Sequence, residues 1–104
     1  MRIQPGEVWM ADMGMIAKVR PVVALTPMPG WDELALVNVV QHTGSVRGDN
    51  PWELSIPKPF LREGVFHLQQ LATVKTSDFI RRLGVLSADE FNLVKEGLRE
   101  RLDL

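Results

Sequence analysis

The sequence predicts a mainly β fold, a small antiparallel barrel or roll that is followed by one C-terminal α-helix. Two patterns carry this prediction. Several short apolar segments are separated by Gly and Pro, and the apolar residues of the final segment change to helical spacing. The chain has 104 residues, of which 45% are hydrophobic, so we expect a single domain that spans residues 1–104.

Five strand candidates follow one another between turn-forming residues. They are residues 7–12, 20–26, 34–41, 52–56 and 65–74. The third candidate, which begins at Leu34, is almost continuously apolar instead of alternating. We therefore expect it to be buried on both faces, as in a small barrel. Residues 13–19 form a brief connection, and residues 46–51 are a loop by composition.

The final segment predicts a helix with a defined start. Ser87 and Glu90 form a capping box, in which the serine hydroxyl accepts from the Glu90 amide and the glutamate reaches back. One apolar stripe follows at three- and four-residue spacing: Phe91, Val94, Leu98 and Leu102. We interpret this helix as one that covers the sheet. A single helical turn is expected around residues 77–80.

Composition excludes several classes of function. The chain has no cysteine, so a disulfide framework, a thiolate nucleophile and a cysteine zinc site are all excluded. Its two histidines, His42 and His67, lack metal-ligand spacing, so we expect no metal and no cofactor. The net charge of -1 argues against a strongly basic nucleic-acid module. Since no signal peptide or membrane-spanning segment is present, we expect a cytoplasmic protein without a membrane partner.

An Arg20-Pro21 pair opens the second predicted strand, and the third ends near Thr43. Pro21 suits the first position of a strand, where its missing N–H removes little from the ladder. The guanidinium of Arg20 is a fixed, planar cation that suits phosphate. The more ordinary interpretation is that Arg20 caps a strand end or pairs with Asp12 or Glu7.

Five segments of the chain, in their order, resemble a known family. They are Gly6-Glu7-Val8-Trp9 with Asp12, Arg20-Pro21-Val22-Val23, the strand end at Thr43, residues 65–74 with Gln70 and Thr73, and Arg81 to Ser87 before the helix. No single segment is specific, but together they cover nearly the whole chain and resemble the MazF/PemK toxins of type II toxin-antitoxin systems. The resemblance implies a half-open, SH3-like antiparallel barrel with a C-terminal helix.

The resemblance also implies an activity and partners. It implies metal-independent cleavage of single-stranded RNA, an antitoxin protein that blocks the site, and a homodimer. The family's active-site Arg and Thr correspond to Arg20 and Thr43 of this chain. A guanidinium and a hydroxyl would stabilise the charge that builds on phosphate oxygens when a ribose 2′-OH attacks the linkage.

The sequence departs from the family pattern on the last predicted strand. Some members have an Arg and an acidic residue where this chain has His67 and Gln69, and a later Arg position is Ala72. Histidine can serve as an acid or a base, and the reaction must move a proton, so His67 is the third catalytic candidate. Gln69 cannot ionise. The first connection is also shorter than usual in the family.

Three further residues are predicted to contact RNA: Ser45, Arg47 and Gln69. For Arg47 the default alternative is a solvated surface charge without a function. For His67 an ordinary strand residue is an alternative of equal weight to a role in catalysis or RNA contact. His42 is interpreted as structural, with a ring nitrogen bonded to a backbone carbonyl. Trp9 is expected in the core, whereas Trp31 and Trp52 are candidates for stacking on bases.

Two hypotheses from different classes remain open. The first is an endoribonuclease toxin that uses Arg20 and Thr43. The second is a catalytically weakened or inactive member of the same family that binds RNA or an antitoxin peptide. The first requires that Arg20→Ala removes RNA cleavage while folding stays intact. The second requires that the natural protein cleaves no single-stranded RNA.

Overall fold

Six antiparallel β-strands and one α-helix make up the fold. A computed structural model describes residues 1–14 and 18–104, so residues 15–17 of the predicted first connection lie outside the described residues. The strands are β1 (Glu7–Asp12), β2 (Val19–Ala24), β3 (Leu36–Thr43), β4 (Glu53–Leu54), β5 (Val65–Lys75) and β6 (Phe79–Val85). The helix is α1 (Ala88–Arg101), and a short 3-10 turn occupies Thr76–Asp78.

The strands form one sheet in the order β4-β5-β3-β2-β1-β6. Every described pairing is antiparallel, and β2 lies near the centre between β1 and β3. Within the described part of the chain no ladder joins the two end strands, β4 and β6, so the sheet curls without closing. The predicted half-open antiparallel barrel with a C-terminal helix is confirmed.

Both faces of the sheet are buried near its centre. One apolar cluster contains Val22 and Val39, and a second, on the other face, contains Val23 and Val40. All four side chains are fully buried. The continuous apolar pattern of the third predicted strand therefore indicated its environment correctly, because β3 contributes core residues to both faces.

The helix covers the second cluster. The Ser87 hydroxyl accepts from the Glu90 amide at 3.1 Å, and Glu90 Oε1 accepts from the Ser87 amide at 2.8 Å, which confirms the predicted capping box. Val94 and Leu98 are buried against β5, but Leu102 lies beyond the helix and is 48% exposed. The predicted apolar stripe is wrong at that last position. Within the described residues no helix is long and apolar enough to cross a membrane.

Two strands depart most from the prediction, whereas β2 and β3 begin and end within two residues of their predicted bounds. β4 has only two residues, Glu53 and Leu54, instead of residues 52–56, because it pairs only with β5 at the end of the sheet. β6 was not predicted. It is an end strand with two register shifts against β1 and contains the pair Arg81-Arg82, so neither a hydrophobic alternation nor a clean turn marks it in the sequence.

The buried carboxylate of Glu7 fastens β6 to β1. Glu7 is 7% exposed and accepts three hydrogen bonds, from the Gln4 amide at 2.8 Å, Trp9 Nε1 at 3.1 Å and Arg82 Nη1 at 3.0 Å. Burial raises the pKa of Glu7, but these three donors together lower it below the ordinary value of 4.5. Trp9 is accordingly fixed in the core, as predicted, with 7% exposure.

Replacing Glu7 with Gln is expected to destabilise the fold. An amide keeps one acceptor but turns an NH₂ group toward donors, so roughly 1–3 kcal/mol of unfolding free energy is lost. Because the pKa of Glu7 is lowered in the folded state, its contribution is present above about pH 4.5 and is lost as the pH falls. Urea unfolding of Glu7→Gln measures this loss against the exposed control Glu96→Gln. Equal midpoints for the two variants would contradict the role of Glu7.

Candidate functional site

Arg20 and Thr43 meet because β2 and β3 run antiparallel. Val22 pairs with Gln41, and two residues beyond this pair, toward the same sheet end, lie Arg20 and Thr43. Arg20 Nη1 donates to Thr43 Oγ1 at 3.5 Å, a long hydrogen bond. The two side chains that the sequence placed in separate strands thus lie side by side.

Arg20 is not engaged by a carboxylate. It forms no salt bridge with any described residue, and the alternative that it pairs with Asp12 or Glu7 is wrong. Glu7 binds Arg82 instead, and Asp12 accepts from the Gly14 amide. The half-buried guanidinium therefore keeps its charge available for an anion.

Thr43 is held more tightly and is less accessible. Its hydroxyl oxygen accepts from Arg20 and from the Ser45 amide at 3.1 Å, and the residue is 5% exposed. With both contacts on its oxygen, the hydroxyl hydrogen remains free to donate. Of the two side chains, Arg20 is therefore the more accessible.

A glycine allows β5 to pass directly behind this pair. A Cβ on Gly64 would clash with the Thr43 carbonyl oxygen and would lie 2.8 Å from Cε1 of His42. Only glycine lets the start of β5 approach the end of β3 so closely. In the sequence, Gly64 indicated only that a strand begins at Val65. It did not indicate which strand lies beside that start.

A second group of polar residues lies on β5. Asn50 Nδ2 donates to Gln69 Oε1 at 2.9 Å and lies 3.3 Å from His67 Nε2. The orientation of the Asn50 amide follows from its oxygen, which accepts from the Trp52 amide at 2.8 Å. Asn50 thus ties the loop before β4 to the two β5 side chains, and sequence reasoning missed it.

Each ring nitrogen of His67 has an N–H group beside it. The Gln69 amide donates to His67 Nδ1 at 3.2 Å, while Asn50 approaches the other ring nitrogen. A neutral imidazole accepts only one hydrogen bond, so these two contacts compete. His67 lies on the same face as Val65, the partner of Thr43 across the β3–β5 ladder.

The loop that carries Ser45 and Arg47 is organised by Glu53. Its carboxylate accepts from the Arg47 amide at 2.7 Å and from the Gly48 amide at 2.8 Å. These hydrogen bonds lower the pKa of Glu53 below 4.5. Gly48 has φ of +87°, a turn that favours glycine. Glu53, like Asn50, was not recognised in the sequence.

An open cavity of about 290 Å³ brings two predicted RNA contacts together. Its charged and polar walls come from Arg47, Asp49, Asn50 and Gln69. The Arg47 side chain also pairs with Asp49 at 3.2 Å, but both are 72% exposed, so this pair contributes little stability. Ser45 is exposed and contributes its amide, not its hydroxyl, to the contacts described above.

The structure therefore forms two groups from the predicted site residues. One contains Arg20 and Thr43, and the other contains His67, Gln69 and Arg47 near Asn50. Among the described residues no hydrogen bond joins the two groups directly; the β3–β5 ladder connects them. The functional roles of all six predicted residues stay predictions.

The aromatic candidates differ in exposure. Trp31 is 98% exposed, and Trp52 is half-buried, with the Arg101 guanidinium 5.4 Å from its ring centre. In residues 1–14 and 18–104, no group of three or more His, Cys, Asp or Glu side chains converges as a metal site would require. The expectation of a metal-free protein stays a prediction.

Comparison with known proteins now defines the class. Residues 4–102 match the family model described as PemK-like, MazF-like toxin of type II toxin-antitoxin system. Because the match covers nearly the whole chain, the protein belongs to this family, and the resemblance inferred from its segments is confirmed. No curated protein sequence matches the chain closely.

Solved structures show the same fold. A MazE-MazF complex from Deinococcus radiodurans superimposes with a TM-score of 0.81 at 18% identity, covering 100% of this chain and 98% of that one. The Mycobacterium tuberculosis toxin MazF-mt6 gives 0.71 at 25% identity, with 94% and 97% coverage. An endoribonuclease in complex with its cognate antitoxin from a mycobacterial species gives 0.75 at 21% identity, with 96% and 94% coverage.

His42 is buried on the opposite face from Thr43, and its ring contacts Phe66 edge-on at 5.0 Å. The expected hydrogen bond to a backbone carbonyl is not present among the described residues. Burial lowers the pKa of His42 below 6.5, because desolvation disfavours the imidazolium.

Acidification is expected to weaken the fold through His42. The unfolded chain protonates His42 near pH 6.5, whereas the folded chain resists protonation, so unfolding free energy falls as pH drops below that value. In His42→Gln, a neutral replacement, this part of the pH dependence disappears. Thermal or urea unfolding of both proteins between about pH 7 and pH 5 measures it. Parallel profiles would show that His42 is not the responsible group.

Proposed function

We propose that this protein is the toxin of a type II toxin-antitoxin pair and that it is an endoribonuclease that cleaves single-stranded RNA without a metal ion. One observation carries the proposal. The chain belongs to this toxin family, and its Arg20 guanidinium lies 3.5 Å from the Thr43 hydroxyl. Arg20 forms no salt bridge with a described residue. This pair is suited to a phosphate.

The proposed reaction is attack by a ribose 2′-OH on the adjacent phosphorus. The O2′–P bond forms, the P–O5′ bond breaks, and the products are a 2′,3′-cyclic phosphate and a 5′-hydroxyl. Negative charge grows on the equatorial phosphate oxygens as the attack proceeds. Arg20 stabilises that charge, and Thr43 holds the guanidinium in place and donates its free hydroxyl hydrogen.

A proton must also move from O2′ to O5′. Histidine is a common general acid or base, and His67 lies on the same sheet face as Val65, the partner of Thr43. Its contact with Asn50 at 3.3 Å is long enough to be given up when RNA enters. His67 is accordingly proposed as the base that takes the O2′ proton, and a water molecule supplies the proton to O5′.

The neighbouring groups provide the proposed RNA contacts. Arg47 and Gln69 line one cavity, and Arg47 carries an exposed charge for a backbone phosphate. Gln69 offers an amide to a base edge or a ribose hydroxyl. Ser45 lies two residues after Thr43, donates its amide to the Thr43 hydroxyl and is exposed.

A cognate antitoxin and a second copy of the chain are the proposed protein partners. Two structural neighbours are toxin–antitoxin complexes, which supports the antitoxin. The homodimer is proposed from the family resemblance. The apolar side chains of Leu34 and Leu36, just before and at the start of β3, are exposed, whereas Val37, Val39 and Val40 are fully buried within the chain.

A second candidate function is a binding module with weakened or absent catalysis. Two observations favour it: Thr43 is only 5% exposed, and Gln69, which cannot ionise, holds the place of an acidic residue. Such a protein would bind RNA or an acidic antitoxin peptide at the same surface without cleaving RNA.

Arg20→Ala tests the assignment. Removal of one preorganised electrostatic group is expected to lower the cleavage rate roughly 100- to 1,000-fold, because the transition-state charge loses its cation. The measurement is the cleavage rate of a long single-stranded RNA in the presence of a metal chelator. The ends of the products are then mapped. Arg99→Ala, which removes an exposed helix arginine paired with Glu96, is the matched control.

Cyclic phosphate ends from the natural protein and Arg99→Ala, together with loss of cleavage in folded Arg20→Ala, would support the proposal. Unchanged cleavage by Arg20→Ala would show that the Arg20 role is wrong. Products with 5′-phosphate ends would contradict attack by the 2′-OH. Binding of RNA without any cleavage by the natural protein would favour the binding module.

A further inference from the structure

A larger cavity lies directly beside Arg20. It measures about 720 Å³, within the range of roughly 300–1,000 Å³ typical of ligand sites. The start of β2, the end of β3, the segment 60–63 and β6 form its walls. Arg20 lines the cavity and also contacts Thr43, which does not itself line it, so the cavity adjoins the Arg20 side of the proposed cleavage pair.

The charged groups of this cavity are predominantly cations. They are Lys18, Arg20, Arg62, Arg81 and the single carboxylate Glu63. None of the four cations forms a salt bridge with a described residue. The protein as a whole has a net charge of -1, so this concentration of positive charge is local.

Two neighbouring arginines on β6 differ in whether they are paired with a carboxylate. Arg82 is bound to Glu7 at 3.0 Å and supports the fold. Arg81, the preceding residue, is exposed, faces the cavity and has no carboxylate partner among the described residues. The sequence pair Arg81-Arg82 therefore divides into one structural cation and one that is available to a ligand.

The remaining walls are mostly apolar and include an aromatic ring, with the imidazole of His42 also among them. The apolar part is formed by Met10, Pro21, Phe60, Leu61 and Leu83. Phe60 is half-buried and packs against Gly84, where an added Cβ would collide with the ring. This contact holds the ring in place, so a planar base can pack beside it.

We propose that this cavity is a nucleotide subsite, which binds the nucleotide next to the cleaved linkage. Arg62 and Arg81, with Lys18, bind its backbone phosphate, and its base lies against Phe60. The inference rests on the proposed function. Unpaired cations beside an aromatic wall match the two chemical parts of a nucleotide, and an acidic peptide would use only the first.

The test uses the full chain and a short single-stranded RNA that spans a mapped cleavage site and carries a 2′-deoxy sugar at the cleaved linkage. Arg62→Ala and Arg81→Ala are each expected to weaken binding and to reduce the salt slope of log K by about 0.7, the value for one phosphate contact. Phe60→Leu is expected to weaken binding without changing that slope. Arg99→Ala, outside the cavity, is expected to change neither.

Cleavage kinetics give a second readout. Because Arg81 does not touch the reacting atoms, Arg81→Ala is expected to raise KM and to leave kcat within about twofold. If Arg62→Ala and Arg81→Ala both bind RNA with the affinity and the salt slope of the natural protein, the subsite is wrong. If these variants lose affinity for a poly-glutamate peptide but bind RNA normally, the cavity does not bind a nucleotide.

The outcomes separate the subsite from the proposed function. If Arg20→Ala still cleaves while Arg81→Ala loses RNA affinity, the subsite stands and the Arg20 assignment fails. If the natural protein cleaves and both cavity variants bind RNA normally, the subsite fails and the nuclease assignment stands.

Discussion

The antiparallel pairing of β2 with β3 is the constraint on which the candidate site depends. It places the start of one central strand beside the end of the other, so Arg20 and Thr43 meet although 23 positions separate them in the chain. Val22 and Val23 are buried on opposite faces of the sheet, one in each core cluster. A slip of one residue would move each valine to the other face and would carry Arg20 away from Thr43. The cation and the hydroxyl are thus positioned by hydrophobic burial.

Around this pair, carboxylates and amides stabilise the structure, whereas some of the nearby arginines are left without a carboxylate partner among the described residues. Glu7 fastens β6, Glu53 organises the loop after Thr43, and Asn50 ties that loop to β5. Arg20, Arg62 and Arg81 have no carboxylate partner in the described chain. A nearly neutral protein can in this way present a locally positive surface, which suits the proposed RNA substrate.

Much of this fold was predictable from local patterns. The capping box at Ser87 and the apolar run of β3 indicated their elements directly, because both depend on neighbouring residues alone. β6 was not predictable, since its existence depends on pairing with β1 and on the Arg82–Glu7 contact. The site followed the same division: the pairing of Arg20 with Thr43 was expected, but the bridging role of Asn50 depends on a distant strand.

A crystal structure of the protein with a short RNA that carries a 2′-deoxy sugar at the cleaved linkage tests the central claim most directly. The account predicts that oxygens of that phosphate lie within hydrogen-bond distance of the Arg20 guanidinium and the Thr43 hydroxyl. A phosphate bound elsewhere, with Arg20 and Thr43 still in contact only with each other, would contradict it.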